Sequence, residues 1–306
     1  MKILITGSNG LLGQKLVYKL VEDTSVELIA TARGENRLRL QEGYTYMSMD
    51  ISNDENVQAI VKATQPDCII HTAAMTNVDA CESEQTECRK LNVDAVSYLV
   101  KAIENHSPQT HFVHLSTDFI FDGEDGPYDE LATPNPVSFY GQSKLDAERV
   151  VQSSSISWAI ARTIIVYGIT DNMSRSNIVL WTKQNLEQHK SINVVTDQFR
   201  SPTLAEDLAE GCILIAKQKA TGVYNLSGPV TYSILELVTI VADYFQLDKS
   251  YIQPVTSQSL NQPAKRPPRT GFIIDKAVRE LGYKPHTFVE GIAILMQQFD
   301  LYQQEK

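Results

Sequence analysis

Gly7-Ser8-Asn9-Gly10-Leu11-Leu12-Gly13 separates the apolar run Ile3-Leu4-Ile5 from a stretch where Leu12, Leu16, Val17, Leu20 and Val21 recur at helical spacing. A strand that runs into a glycine turn and out into a helix opens a βαβ unit. Glycine suits the turn because the backbone must bend sharply and approach a pyrophosphate with no Cβ in the way. The helix N-terminus behind it offers unpaired N–H groups and a partial positive charge to phosphate. Gly7, Asn9, Gly10, Leu11 and Gly13 are therefore the first candidates for holding a dinucleotide. Three glycines mean little alone; their weight comes from a second apolar run at 26–30 that closes the unit.

The alternation continues outward from there. Residues 44–49, 68–71, 111–115 and 158–165 read as strands, and 55–63, 91–104 and 138–152 as helices. Strands interleaved with helices imply an α/β fold, a Rossmann-type doubly wound parallel sheet covered on both faces. Beyond about residue 167 the rhythm loosens, with helical stretches near 176–188, 204–217, 233–246 and 288–300 parted by Pro- and Gly-rich connections. A smaller C-terminal substrate domain is expected. Residues 1–167 and about 200–220 would form the dinucleotide-binding domain, and about 168–199 and 221–306 the substrate-binding one.

Composition bounds the function. The 306 residues carry Lys+Arg 27 against Asp+Glu 37, a net charge of −10 that disfavours nucleic acid and anionic membrane as partners. The chain has no apolar run near the roughly 18 residues of a membrane span, and Met1-Lys2 leads straight into the first strand with no room for a signal peptide. A cytoplasmic location is the expectation. Cys68, Cys81, Cys88 and Cys212 show no metal-like spacing and read as buried thiols; His111 and His114 would point to opposite faces of one strand, so no metal site is expected.

The second strand runs out as Ala30-Thr31-Ala32-Arg33-Gly34, with no carboxylate until Glu35. An acidic residue there would accept from a ribose 2′-OH, whereas the Arg33 guanidinium can hold a 2′-phosphate, so NADPH is favoured and NADH remains open. Asp50-Ile51, ending the third strand, would meet the adenine. Tyr140 and Lys144 stand at i and i+4 on one helix. An ammonium about 4 Å from a phenolate is worth roughly 4 kcal/mol at an effective dielectric near 20, enough to draw the tyrosine towards working pH. Tyr302 and Lys306 repeat the spacing, so position carries the weight: Leu115-Ser116-Thr117-Asp118 ends the fifth strand 23 residues upstream of Tyr140, where open α/β sheets bind ligands. Thr117 could there bond a substrate carbonyl.

The turn Gly7–Gly13, the Thr117/Tyr140/Lys144 set and the element order resemble the extended short-chain dehydrogenase/reductases. Within them, the chain is similar to the dTDP-4-dehydrorhamnose reductase family. The blocks that carry this are His71-Thr72-Ala73-Ala74-Met75-Thr76-Asn77-Val78-Asp79, Ser116-Thr117-Asp118-Phe119-Ile120-Phe121-Asp122-Gly123, Tyr140-Gly141-Gln142-Ser143-Lys144, Ala161-Arg162-Thr163, and Asp197-Gln198-Phe199-Arg200-Ser201-Pro202-Thr203. The resemblance implies hydride transfer from NADPH to the C4 ketone of a dTDP-4-keto-6-deoxy sugar, giving dTDP-L-rhamnose from dTDP-4-dehydrorhamnose. Tyr140 would supply the proton, Lys144 would tune Tyr140 and hold the ribose, Thr117 would polarise the ketone, and Asp118 would position sugar hydroxyls. Asn92 matches a proton-relaying asparagine, or else is a helix-surface amide. Ala73, Ala74 and Thr163 match cofactor-lining positions, and Met75, Thr76 and Phe121 substrate-lining ones.

Arg200 stands where the family commonly has a small residue, so it contacts the substrate diphosphate or faces solvent. Residues 260–284 hold six basic against two acidic side chains, a candidate landing patch for an anionic nucleotide sugar or simply a solvated face. The expected partners are that substrate and a second copy of the chain. Two other functions compete: an epimerase of the same superfamily, and a non-catalytic NADP-binding regulatory subunit like that of eukaryotic methionine adenosyltransferase, which resembles the same family.

Overall fold

The computed structural model describes residues 1–171 and 176–304, with side chains described as far as residue 299. The second copy of the Tyr/Lys spacing, at 302 and 306, lies outside the described side chains. In chain order the first half comprises β1 (Lys2–Thr6), α1 (Leu11–Leu20), β2 (Glu27–Ala32), β3 (Thr45–Ser48), α2 (Asp54–Thr64), β4 (Cys68–His71), α3 (Val78–Ser83), α4 (Gln85–Arg89), α5 (Ala95–His106), β5 (His111–Thr117), α6 (Phe139–Gln152) and β6 (Ser157–Thr163). The second half adds α7 (Ile178–Glu187), α8 (Ala205–Gln218), α9 (Ile234–Tyr244), α10 (Asp275–Leu281) and α11 (Phe288–Gln304).

β1 pairs with β2 on one side and β4 on the other, Leu4 lying opposite Ile29 and Ile69. The sheet has seven parallel strands: an edge strand Gly222–Asn225, then β6, β5, β4, β1, β2 and β3. The chain winds outward from β1 to β3 and then crosses back to β4. The crevice between β1 and β4 is thus the topological switch point, where ligands of such sheets bind. Gly222–Asn225 falls in the stretch that the sequence assigns to the substrate part, yet it is hydrogen-bonded in register to β6.

Side chains alternate across the sheet and explain its two covers. Ile3 and Ile5 meet Leu16, Val17, Leu208 and Cys212 from α1 and α8. Leu4, between them, meets Val57, Leu99, Ile103 and Val151 from α2, α5 and α6. A further apolar cluster joins α7, α9 and α11 through Val179, Leu180, Leu237, Val241, Ile292 and Leu295. All four cysteines are buried free thiols. Among the described residues no helix is long and apolar enough to cross a membrane.

One expected helix differs. In place of a single helix over 91–104, α4 runs into a π-helical turn at Lys90–Asp94 before α5 begins. The extra residue per turn rotates Asn92 inward, which a hydrophobic period does not reveal.

Candidate active site

The glycine turn leaves β1 at the switch point. Gly7 has φ +71, and a Cβ on it would lie 2.8 Å from the Ala73 nitrogen; one on Gly13 would lie 2.2 Å from the Gly7 carbonyl oxygen. Thr6 Oγ1 accepts from the amides of Thr72 and Ala73 at 3.2 and 3.3 Å, fixing the loop after β4 against the turn and bringing Ala73 and Ala74 to the crevice. No side chain caps α1, whose N-cap is Gly10 and whose first residue is Leu11. A backbone cradle without Cβ atoms, facing an uncapped helix start, fits a pyrophosphate. Gly13→Ala must push the turn apart, so roughly 1–3 kcal/mol of overpacking is expected. It should appear as a lowered melting temperature and weakened NADPH binding in a fluorescence titration.

Asn9 turns out to fasten this cradle to its surroundings: Nδ2 donates to the Glu35 carbonyl at 2.9 Å and Oδ1 accepts from the Arg37 amide at 2.9 Å. The loop so held carries exposed Arg33 at the end of β2, with Arg37 four residues on. Arg37 was not singled out by sequence, although its spacing from Arg33 was visible. Burial works against ionisation of Asp50, but hydrogen bonds from Ser52 and the field of Arg33 outweigh it and hold the carboxyl below the usual range. Its neighbour Ile51 is buried.

The second half of the site comes from β5 and α6. Ser138 caps α6 by accepting from the Gly141 amide, which places Tyr140 and Lys144 on the inward face of the helix beside the end of β5. Thr117, Tyr140 and Lys144 are all nearly enclosed. The Thr117 hydroxyl lies beside the Tyr140 phenol and donates to Asp118 Oδ1 at 3.0 Å. Thr117, Tyr140 and Lys144, three of the four expected catalytic residues, are thus buried where α6 packs against the end of β5.

Their electrostatics correct the i,i+4 argument. Lys144 Nζ donates to the Leu115 carbonyl at 2.6 Å and sits 3.4 Å from His114 Nε2. Burial pushes the Tyr140 phenol well above its ordinary range, with the Asp118 charge adding to it, and Thr117 opposes this only in part. Burial also pulls Lys144 down to about 8, with Glu148 working in the opposite direction. Desolvation outweighs the proximity that the spacing suggested. In this state Tyr140 is a protonated acid throughout the neutral range.

Asn92 is buried, so the helix-surface reading does not hold. It donates to the Met75 carbonyl at 3.0 Å and Ser143 Oγ at 3.0 Å, and accepts from the Met75 amide at 2.8 Å. It therefore staples the loop after β4 to α6. Ser143 passes the tie on, donating to the Tyr140 carbonyl at 2.7 Å. Met75 packs in the cluster around Tyr140 with Cys81 and Cys88, while Thr76 is exposed at the rim. Thr163, ending β6, donates to Thr203 Oγ1 at 3.4 Å.

Two expected substrate contacts are corrected. Phe121 is fully buried, stacked on Tyr128 at 4.1 Å and edge-on to Phe272, so it has no surface to offer a ligand. Arg200 neither faces solvent nor has a free fork for a diphosphate. Its side chain is 5% exposed and donates to the Phe199, Pro267 and Pro268 carbonyls. Asp118, expected to hold sugar hydroxyls, instead accepts from Thr117 and Thr270. Burial raises its carboxyl, against the pull of Arg200. The basic 260–284 stretch is likewise partly committed: Arg266 pairs with Asp79 at 2.7 Å, and Lys276 lies over the Tyr224 ring. His111 and His114 are both buried, on separate partners, Ser157 Oγ and Lys144.

A cavity of about 350 Å³ in the C-terminal half of the chain is lined by Asn177, Trp181, Asn193, Gln198, Gln262 and Arg266 among apolar side chains. An aromatic face, amides and a guanidinium suit a flat, polar, anionic ligand. The family described as RmlD substrate binding domain matches residues 1–301. The chain belongs to that family. Its architecture superposes on a dTDP-4-dehydrorhamnose reductase from Clostridium acetobutylicum with TM-score 0.86 and 28% identity, covering 98% of this chain and 100% of that one. A dTDP-4-dehydrorhamnose reductase from Bacillus anthracis, in complex with NADP, gives TM-score 0.80 and 26% identity over 97% of this chain and 99% of that one. In sequence, the chain is also 30% identical to methionine adenosyltransferase 2 subunit beta of Xenopus laevis, over 84% of this chain and 76% of the relative.

Proposed function

We propose that this member of the family is an NADPH-dependent reductase of the C4 ketone of a dTDP-4-keto-6-deoxy sugar. The observation that carries the reading is the shared burial of Thr117, Tyr140 and Lys144 where α6 packs against the end of β5, in a sheet whose first strand ends in the glycine cradle. Arg33, just after β2, and Arg37, in the loop that follows, favour a phosphorylated ribose over a bare one. When bound, the nicotinamide supplies a hydride to the ketone carbon. Tyr140, kept protonated by burial, gives its proton to the ketone oxygen as charge develops there. Thr117, beside Tyr140, donates its one hydrogen to Asp118 and is held in place by that bond. Lys144 turns its ammonium towards the end of β5, where it can hold ribose hydroxyls. The cavity beside Gln198 and Arg266 would take the nucleotide part of the substrate.

A second reading, the non-catalytic regulatory subunit, is favoured by the 30% identity to the methionine adenosyltransferase subunit. Turnover separates the two. Mixing the protein with dTDP-4-keto-rhamnose and following NADPH absorbance should show oxidation. If NADPH binds and persists, the regulatory reading replaces the reductase one.

A further inference from the structure

Asp118 and Arg200 place opposite charges in the interior, their side chains 3% and 5% exposed, with Arg200 Nε 3.6 Å from Asp118 Oδ2. Buried charges persist only when their donors and lone pairs are satisfied. Arg200 meets this by collecting backbone oxygens: one terminal nitrogen donates to Phe199 at 2.7 Å and Pro268 at 3.2 Å, the other to Pro267 at 2.7 Å. Asp118 meets it with hydroxyls, accepting from Thr270 on Oδ2 at 2.5 Å and from Thr117 on Oδ1 at 3.0 Å. Pro267 and Pro268 have no N–H to donate, so the guanidinium adds to the backbone bonds that the segment makes through Phe199, Arg269 and Thr270. The residues so tied stand next to the cavity lining in the chain: Gln198 is two residues before Arg200, and Arg266 one before Pro267.

We infer that Arg200 is a positioning residue that couples the 267–270 segment, and with it the cavity, to the catalytic hydroxyl of Thr117 through Asp118. The coupling to catalysis rests on the reductase reading, while the mechanical coupling does not. A ligand that presses on Gln198 and Arg266 seats the segment. The seated segment holds Thr270 and Arg200 on the carboxylate, and the carboxylate then fixes which way Thr117 directs its hydrogen. Arg200→Lys keeps a positive charge but, as a compact point charge with three donors, cannot span three carbonyls and a carboxylate at once. Thr270→Val deletes one donor and leaves the ion pair in place.

The two variants are compared with wild type by kinetics and by amide hydrogen exchange. Both should lower kcat by about tenfold or more while NADPH affinity stays near wild type. In Arg200→Lys, exchange should quicken together at Phe199 and Thr270 in the segment and at Phe119 and Phe121 beyond β5. Those last amides bond Thr117 Oγ1 and the Asp118 carbonyl. Faster exchange confined to Phe199, Arg269 and Thr270, with kcat unchanged in both variants, would reduce Arg200 to a loop brace and overturn the inference. If wild type itself fails to oxidise NADPH, the reductase reading falls, and the exchange pattern still decides the mechanical coupling.

Discussion

Tyr140→Phe should lower kcat/KM by roughly 10²–10⁴, the usual contribution of a positioned proton donor, while leaving NADPH affinity and the melting temperature close to wild type. The ring itself is a packing element, edge-on to Phe119 at 5.5 Å and clustered with Cys81, Cys88 and Met75. Phenylalanine keeps those contacts. What is lost is one hydroxyl and its polar contact with Thr117, worth at most a net of about 0.5–1.5 kcal/mol for a neutral pair. Against that small structural cost stands the removal of the proposed proton donor. Because burial keeps the phenol protonated through the neutral range, the wild-type rate should show no loss of this acid between pH 6 and 8, in the range of roughly neutral assays. Steady-state rates and a fluorescence titration on the same preparation check both halves. A variant that oxidises NADPH as fast as wild type would remove Tyr140 from the chemistry.

The sheet was legible because a parallel sheet buried on both faces writes itself as continuous apolar runs, and 68–71 matches β4 residue for residue. The edge strand Gly222–Asn225 was not, since Gly-Val-Tyr-Asn carries only two apolar side chains and only pairing with β6 makes it a strand. At the site, spacing located Tyr140, Lys144 and Thr117 but could not weigh burial against proximity, so the direction of the Tyr140 shift came out reversed. Arg200 shows a different limit. A sequence displays its charge, but the carbonyls that make its burial possible lie 67 and 68 residues away. Phe121 was misplaced for the converse reason, as its partners Tyr128 and Phe272 come from two separate loops. Glu148, one turn after Lys144 on α6, was readable by spacing and passed over, because its partner Arg162 stands on the neighbouring strand β6.

Glu148→Gln should cost about 3–5 kcal/mol of stability, the usual penalty for breaking a buried ion pair on one side, and should move the pH dependence of catalysis. The Glu148 carboxylate is fully buried and takes two bonds from Arg162, Nε at 3.0 Å and a terminal nitrogen at 2.7 Å. With glutamine there, the guanidinium keeps its charge in the interior with the Glu130 carbonyl at 3.4 Å and the Phe121 ring at 5.4 Å. Thermal melts read that loss. The second effect runs through Lys144, which burial pulls down to about 8 while the Glu148 charge pushes back. Lysine is an ammonium below its pKa, so the basic limb of kcat/KM in wild type belongs near pH 8 and should fall to lower pH in the variant. Stability has the opposite sign. Between about 8 and 10.5 the unfolded chain binds the proton that folded Lys144 has shed, so its contribution grows as pH rises through that window. Activity falling while the melting temperature holds or rises across the same pH range is therefore the signature of a buried lysine at work. An unchanged basic limb in Glu148→Gln would mean that the ammonium of Lys144 does not govern the rate.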